Sequence, residues 1–443
     1  MPDRKRNLGL IIFAVLTVLP AVVLAQGSSL NTFSPYTFYG LGDMSSQGPA
    51  MVRAMGGAGV GFHSPYKVNS LNPASIGDIK RNTFIFNFEL EGTNVYSKAG
   101  GKKTSFNTFN IRDISLKFSL HENMGISASI SPYSNVGYHV DMWETDPYVL
   151  ANVGSVRYMY QGEGGITEYK LGYGVRLFKK LYVGVEGIYY KGNINRFYDV
   201  IIRPVTSDKG YANTEGTFNE IYSHFTPNFG ANYNIIYDPE KRRMLTFGAT
   251  FKPKTNLKPT SRNLIITSGS FTEEVAFTST RKDFYLPTSI GAGLFYETPN
   301  ISLSMDYVFE HWKRLNPTDA ANGIAFGNTN TIRAGVQYIP NPSDITRAYR
   351  RWSYRAGLKY SDYYMIVNGR KIRDYGITLG MGFPIKRSST EINIGIELGK
   401  RGSTATGTYG TKQFNMVREN YFKVSIGFSL FGEDYWFVKY RYN

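Results

Sequence analysis

The sequence predicts an all-β protein, a transmembrane antiparallel β-barrel of about 14 strands with an N-terminal plug, or hatch, in its lumen. Three observations predict it. A basic leader precedes a short apolar core; hydrophobic residues alternate with period two past residue 80; short and long connections alternate between the strands.

Arg4, Lys5 and Arg6 form a basic n-region, and an apolar run from Leu8 to Leu24 is broken only by Gly9, Thr17 and Pro20. Val23-Leu24-Ala25 places small residues at the −3 and −1 positions before Gln26, so residues 1–25 read as a cleavable signal peptide. The competing reading is a membrane anchor, but the core is short for a spanning helix. Cleavage would leave 418 of the 443 residues. It would remove three basic residues and one acidic residue, taking the formal charge from +16 to +14.

The 34 Tyr, 29 Phe and 46 Gly, against only 4 Trp, suit many half-buried strands. With no cysteine, a disulfide framework, a zinc–thiolate cluster and a thiol nucleophile are all excluded. The basic residues are scattered through strands and turns. They suit membrane lipid and lipopolysaccharide head groups, and no nucleic-acid partner is expected.

Phe84, Phe86, Phe88 and Leu90 alternate with Ile85, Asn87, Glu89 and Glu91, and similar runs start at Ile114, Ile301, Ile392 and Phe422. Each run gives a strand one wet and one apolar face, which a soluble sandwich also shows. The leader, the strand lengths and the turn pattern favour the barrel. Strands are expected near 83–97, 104–121, 124–140, 155–178, 181–199, 217–237 and 243–257. Seven more follow near 281–297, 299–313, 327–339, 352–367, 372–385, 389–401 and 415–431, with the barrel domain as a whole at 81–432. A turn at 161–165 would raise the count to sixteen. Short turns are expected at 121–124, 179–180, 238–243, 297–300, 340–349 and 386–389. Long loops are expected near 141–154, 201–216, 257–280, 314–326 and 402–414. Alternation places Glu89, Glu91, Lys117, Lys170, Arg176, Glu186, Asp306, Glu310, Glu391, Glu397 and Lys423 inside, because a charge facing lipid at mid-depth costs roughly 2–4 kcal/mol.

Residues 26–80 lack the alternation and are rich in Gly, Ser, Asn and Pro. A disordered leader and a lumenal hatch both fit that composition. Within it, Arg53-Ala54-Met55-Gly56-Gly57-Ala58-Gly59-Val60, followed by Asn69-Ser70-Leu71-Asn72-Pro73-Ala74, resembles the N-terminal region of FadL-type outer-membrane transporters of long-chain fatty acids and hydrocarbons. The resemblance implies a hatch carrying Gly56, Gly57, Gly59, Asn72, Pro73 and Ala74 inside a fourteen-stranded barrel of the bacterial outer membrane. It also implies a kinked third strand that opens the wall sideways. Pro132, followed by Tyr133, is the candidate kink, because proline cannot donate to a ladder. The alternative is a strand that ends at Ile130, and Pro227 is a second, weaker interruption.

Residues 433–443 read as a periplasmic tail. Trp436, Phe437, Lys439 and Arg441 would suit docking to an envelope complex, or anchoring at the membrane interface. His63, His121, His139, His224 and His311 lack metal-ligand spacing, no Gly-x-Ser-x-Gly elbow occurs, and Gly57, Gly59 and Phe62 miss the dinucleotide pattern. No enzyme activity and no cofactor is expected.

Two functions remain. One is passive transport of hydrophobic small molecules such as long-chain fatty acids, captured by aromatic loop segments such as Met142-Trp143 and Tyr158-Met159-Tyr160 and leaving laterally near strand three. The other is a non-transporting FadL-like subunit of an outer-membrane assembly or secretion complex. A continuous apolar tunnel would favour the first. A lumen of paired charges around a fixed hatch would favour the second.

Overall fold

The computed structural model describes residues 31–205, 211–268, 272–280, 283–315, 323–385, 389–409 and 412–433. Residues 1–25, expected to be a signal peptide, and the aromatic-basic tail fall outside them. Fourteen wall strands close into one antiparallel barrel. They are β1 (Thr83–Ala99), β2 (Lys102–His121), β3 (Met124–Trp143), β4 (Gly154–Leu177), β5 (Leu181–Pro204) and β6 (Asn213–Asp238). Then come β7 (Arg243–Lys252, resuming as Thr260–Ser268) and β8 (Thr272–Thr280, resuming as Ser289–Glu297). The rest are β9 (Ile301–Glu310), β10 (Ile324–Phe326 and Thr329–Tyr338), β11 (Ser353–Val367), β12 (Arg370–Pro384), β13 (Glu391–Gly402) and β14 (Arg418–Glu433). The first and last strands pair from Thr83↔Glu433 to Lys98↔Arg418, so no edge is left where they meet.

The alternation works as the sequence requires. Leu171, Met305, Leu358, Ile377 and Leu398 point outward and are exposed, while Glu89, Lys117, Glu186 and Asp306 on the opposite face are buried. Five of the six expected short turns lie at one end of the barrel, where both β1 begins and β14 ends, and the sixth, at 386–389, falls largely outside the described residues. Residues 161–165 continue β4 through an unbroken ladder to β5, which rules out the sixteen-stranded count.

The loops differ from expectation. Residues 257–280, read as one long loop, carry a hairpin, Thr260–Ser268 with Thr272–Thr280, that extends the wall by pairing with Asn213–Ile221 of β6. Thr, Ser and Glu interrupt its apolar residues, so no strict alternation betrays it. β3, β4, β5 and β6 also run further into the expected loops at 141–154 and 201–216, leaving a short helix, Pro147–Asn152, between β3 and β4. A second hairpin, Thr406–Tyr409 with Lys412–Asn415, occupies the expected loop at 402–414. With 24 to 26 residues, β4, β5 and β6 are more than twice as long as β9, with 10, so the barrel is much taller on one side.

Candidate functional site: the filled lumen and two breaks in its wall

Residues 31–80 lie in the lumen, held from below by buried charge. Arg53 pairs with Glu89 at 2.7 Å and Glu91 at 2.5 Å, both on β1. Glu89 also accepts from the Ala50 amide. Asp306 of β9 accepts the amides of Gly59 and Val60 at 2.6 and 2.9 Å. Lys117 of β2 donates to the carbonyls of Ser64, Ser75 and Asp78 at 3.1, 2.9 and 2.8 Å. Lys67 and Arg355 share Glu391 at 2.6 and 2.7 Å. At the floor, the His63 ring meets Asp78 at 2.6 Å and Asn234 at 3.0 Å. Burial works most strongly against the charged Asp78 carboxylate, but the His63 contact together with the nearby Lys117 and Arg176 charges outweighs it and holds its pKa below the ordinary carboxylate range.

Gly56 has φ +71°, and a side chain there would strike the backbone of Leu358 and Ala334, so this position needs glycine for both conformation and space. Gly57 and Gly59 lie in the same turn, Gly57 near Arg333 and Gly59 against Val52. Asn72 accepts from the Ala74 amide at 3.0 Å and donates to Val60 O at 2.8 Å, capping the 3-10 turn that begins at Pro73. Trp436, Phe437, Lys439 and Arg441 lie outside the described residues.

The wall opens at β3. β2 and β3 pair only from Ile114↔Ile130 down to His121↔Met124. Above that, β2 pairs with β1 and β3 with β4. Pro132 sits opposite Thr167 and Ser134 opposite Ile166, so Tyr133 is an extra, bulged residue. The bulge shifts the inward face by one residue, and Val136 and Tyr138 above it turn into the lumen. The alternative of a strand ending at Ile130 is excluded, because β3 continues to Trp143.

Residues 31–46 fill this break as a strap. The Asn110 side chain donates to Asn31 O at 2.7 Å, and Phe33 stacks on Phe106 with centroids 4.6 Å apart. The Ser34 amide donates to Gly137 O at 2.8 Å, and the Ser45 amide to Tyr133 O at 2.9 Å. Asp43 and Met44 pair with Asn135 and Ser134. On the far side, Arg401 binds Asp43 at 2.5 Å and Glu419 at 2.7 Å, while Ser34 Oγ donates to Glu419 at 2.5 Å. Tyr364 and Tyr363 donate to Gly42 O at 2.7 and 3.2 Å. Nothing local in the sequence marks these partners, since the strap reaches its contacts in the wall 66 to 385 residues away.

Pro227 marks a second break. β6 pairs with Thr260 at Ile221 and with Phe251 at Phe229, and between these points the chain of β7 leaves the wall. Thr255–Asn256 pairs inside with Tyr285–Leu286, the Thr226 and Thr255 hydroxyls meet at 2.7 Å, and Leu257 and Leu286 are buried. Leu257 joins an apolar layer with Tyr36, Leu41, Tyr190, Trp312 and Tyr364 across the upper lumen. Between this layer and the lower plug lies a cavity of about 250 Å³, lined by Glu168, Lys170, Lys252, Glu310, Arg333 and Lys359 among others. Charged side chains thus line the middle of the lumen.

The shape matches solved barrels of the FadL type. The Pseudomonas putida toluene transporter TodX aligns over 87% of this chain and 98% of its own, with TM-score 0.56 and 14% identity. The CymD monoaromatic hydrocarbon channel covers 88% and 98%, with TM-score 0.54 and 13% identity. A Pseudomonas aeruginosa FadL homologue covers 88% and 98%, with TM-score 0.54 and 10% identity. At such identities the likeness shows the fold alone. No sequence among curated proteins matches the chain. The BamG family model matches residues 8–443, nearly the whole sequence, and this divergent FadL-like barrel therefore belongs to the BamG family.

Proposed function

We propose that this chain is a non-transporting, closed barrel of the bacterial outer membrane that serves as a subunit of an outer-membrane protein-assembly complex. The observation that carries the reading is the strap–plug unit. One stretch of chain fills the lumen, covers the break at β3 and is fixed to the wall by buried ion pairs at Arg53 and Arg401. Pulling one partner out of a buried ion pair leaves the other charge uncompensated, at a cost of about 3–5 kcal/mol, so such a plug resists displacement by a neutral ligand. The channels match in fold only, so their hydrocarbons do not transfer with it. In this orientation the short turns face the periplasm, and Lys102, Lys103, Lys371 and Arg373 at the opposite end suit lipopolysaccharide phosphates. The tail with Trp436, Phe437, Lys439 and Arg441 would add a second periplasmic contact.

A second reading is passive transport of a hydrophobic small molecule, with Pro132 and Tyr133 framing a lateral exit. The separation of β2 from β3 and the apolar layer beside it support that reading. Purifying the tagged protein from outer membranes in mild detergent, with lipids and proteins both quantified, separates the two. A stoichiometric complex with envelope proteins and no selective ligand is expected. One enriched apolar ligand class without stoichiometric protein, lost when residues 131–133 are deleted, would replace the subunit reading with transport.

A further inference from the structure

The periplasmic turns carry two features that barrel stability does not explain. The turn between β4 and β5 holds Phe178 at φ 51° and Lys179 at φ 61°. Positive φ is strained for a bulky aromatic residue, and Asn or Gly is the usual occupant of such a turn. The Phe178 ring is nonetheless 89% exposed. It lies past Leu177↔Leu181, the last pair of the ladder, and off the outward row Tyr169, Leu171 and Tyr173 that meets lipid.

Three hairpins further round, on the order of 30 Å along the rim at ordinary strand spacing, the connection between β10 and β11 repeats the arrangement. There Asp344 accepts the amides of Thr346 and Arg347 at 2.9 and 2.8 Å and pairs with Arg350 at 3.5 Å. The Arg347 amide first, then the Thr346 hydroxyl, holds the Asp344 pKa down at about 2. This ordered turn presents Ile345 at 82% exposure. Between the two apolar tips lies a groove of about 290 Å³, lined by Tyr237, Arg242 and Pro299 among others. Lys179, Lys180, Lys241, Arg242, Arg243 and Arg347 are exposed along the arc, whereas Asp238 and Asp344 are engaged by backbone amides of their own turns, so exposed cations outnumber the exposed Glu240 among them.

We propose that this arc, with Phe178 and Ile345 as apolar anchors and Lys179, Lys180, Arg242 and Arg347 around them, docks an acidic periplasmic domain of a partner protein. Apolar anchors inside a charged surround are the usual layout of a protein interface, and the excess of free cations selects an acidic partner. The proposal rests on the subunit reading and adds to it the docking face and the chemistry of the partner.

The test uses the full-length protein in outer membranes, with a photo-crosslinking phenylalanine analogue placed at 178 or at 345 and the crosslinked peptides sequenced. Both positions should capture one and the same protein of the stoichiometric complex, at segments rich in Asp and Glu. Phe178→Asn should reduce capture from position 345 by roughly tenfold, as loss of an interface anchor does. It should leave the temperature of heat-modified gel migration unchanged or higher, since Asn tolerates positive φ. Should that temperature fall, Lys180→Glu reads the same surface without touching the strained position, and unchanged capture in that variant overturns the proposal. Crosslinks to phospholipid would also overturn it, making the arc an interfacial girdle. A stoichiometric complex that neither position touches would overturn this docking face while leaving the subunit reading intact. The absence of any complex would remove both.

Discussion

The barrel wall is broken at Tyr133 in β3 and again where β7 and β8 dip inward beside Pro227, and the two breaks are closed by different means. At the second, the wall strands fill their own gap: Thr255–Asn256 and Tyr285–Leu286 pair within the lumen, between Pro253, Pro259 and Pro287. At the first, a distant strap from the N-terminal region does so, held by a few hydrogen bonds and one buried ion-pair cluster. A gap filled by neighbouring wall opens only if the barrel deforms. A gap filled by a strap opens when the strap lets go.

The difference can be broken from the strap side first. Arg401→Met should leave Glu419 buried without its cation, at a cost of about 3–5 kcal/mol. Hydrogen exchange should then speed up at the Ser34 and Ser45 amides but not at Leu257, and conductance in planar bilayers should rise. Equal loss of protection at both breaks would show that they form one cooperative unit.

Leu257→Ala makes the reciprocal test, with an expected loss of about 2–5 kcal/mol from a cavity in the apolar layer. Exchange should increase around residues 255–257 and 284–286, with the strap amides still protected. Gly137→Ala is milder. Its added methyl group would collide with the Thr32 carbonyl, so the strap must shift, at roughly 1–3 kcal/mol. The signature would be weakened protection at Ser34 with the β3–β4 ladder intact.

The smallest effect is expected at the floor of the lumen, through Asp78. Because the folded-state pKa of Asp78 lies below the unfolded value of about 3.9, the stability it contributes is complete above that value. It is lost as pH falls through the folded pKa. The floor near His63 should therefore loosen only in strong acid, below the pH at which an ordinary carboxylate is protonated, seen as faster exchange around residues 63 and 78.

The period-two pattern was enough to read fourteen strands, their order and the short turns, because a strand with one lipid face and one lumenal face must alternate residue by residue. Glu89, Lys117, Asp306 and Glu397 were placed inside by the same rule, and each is buried. The Thr260–Ser268 and Thr272–Thr280 hairpin escaped because it extends the wall beyond the alternating stretches and carries no strict alternation. Pro132 was legible as an interruption, since proline cannot donate to a ladder wherever it falls.

What closed that interruption was not legible. Nothing in the sequence near Ser34, Asp43 or Gly137 connects them to Glu419, Arg401 or one another, because those contacts exist only once the barrel has closed. The sequence by itself determined the strands and which face of each meets lipid, both being local consequences of backbone geometry and desolvation. Only the tertiary structure decided that the break in β3 is covered, that a cavity remains between the plug and the apolar layer, and that Phe178 stands exposed in a strained turn. The first two depend on which distant residues the closed barrel brings within reach, the third on the backbone geometry of one tight hairpin.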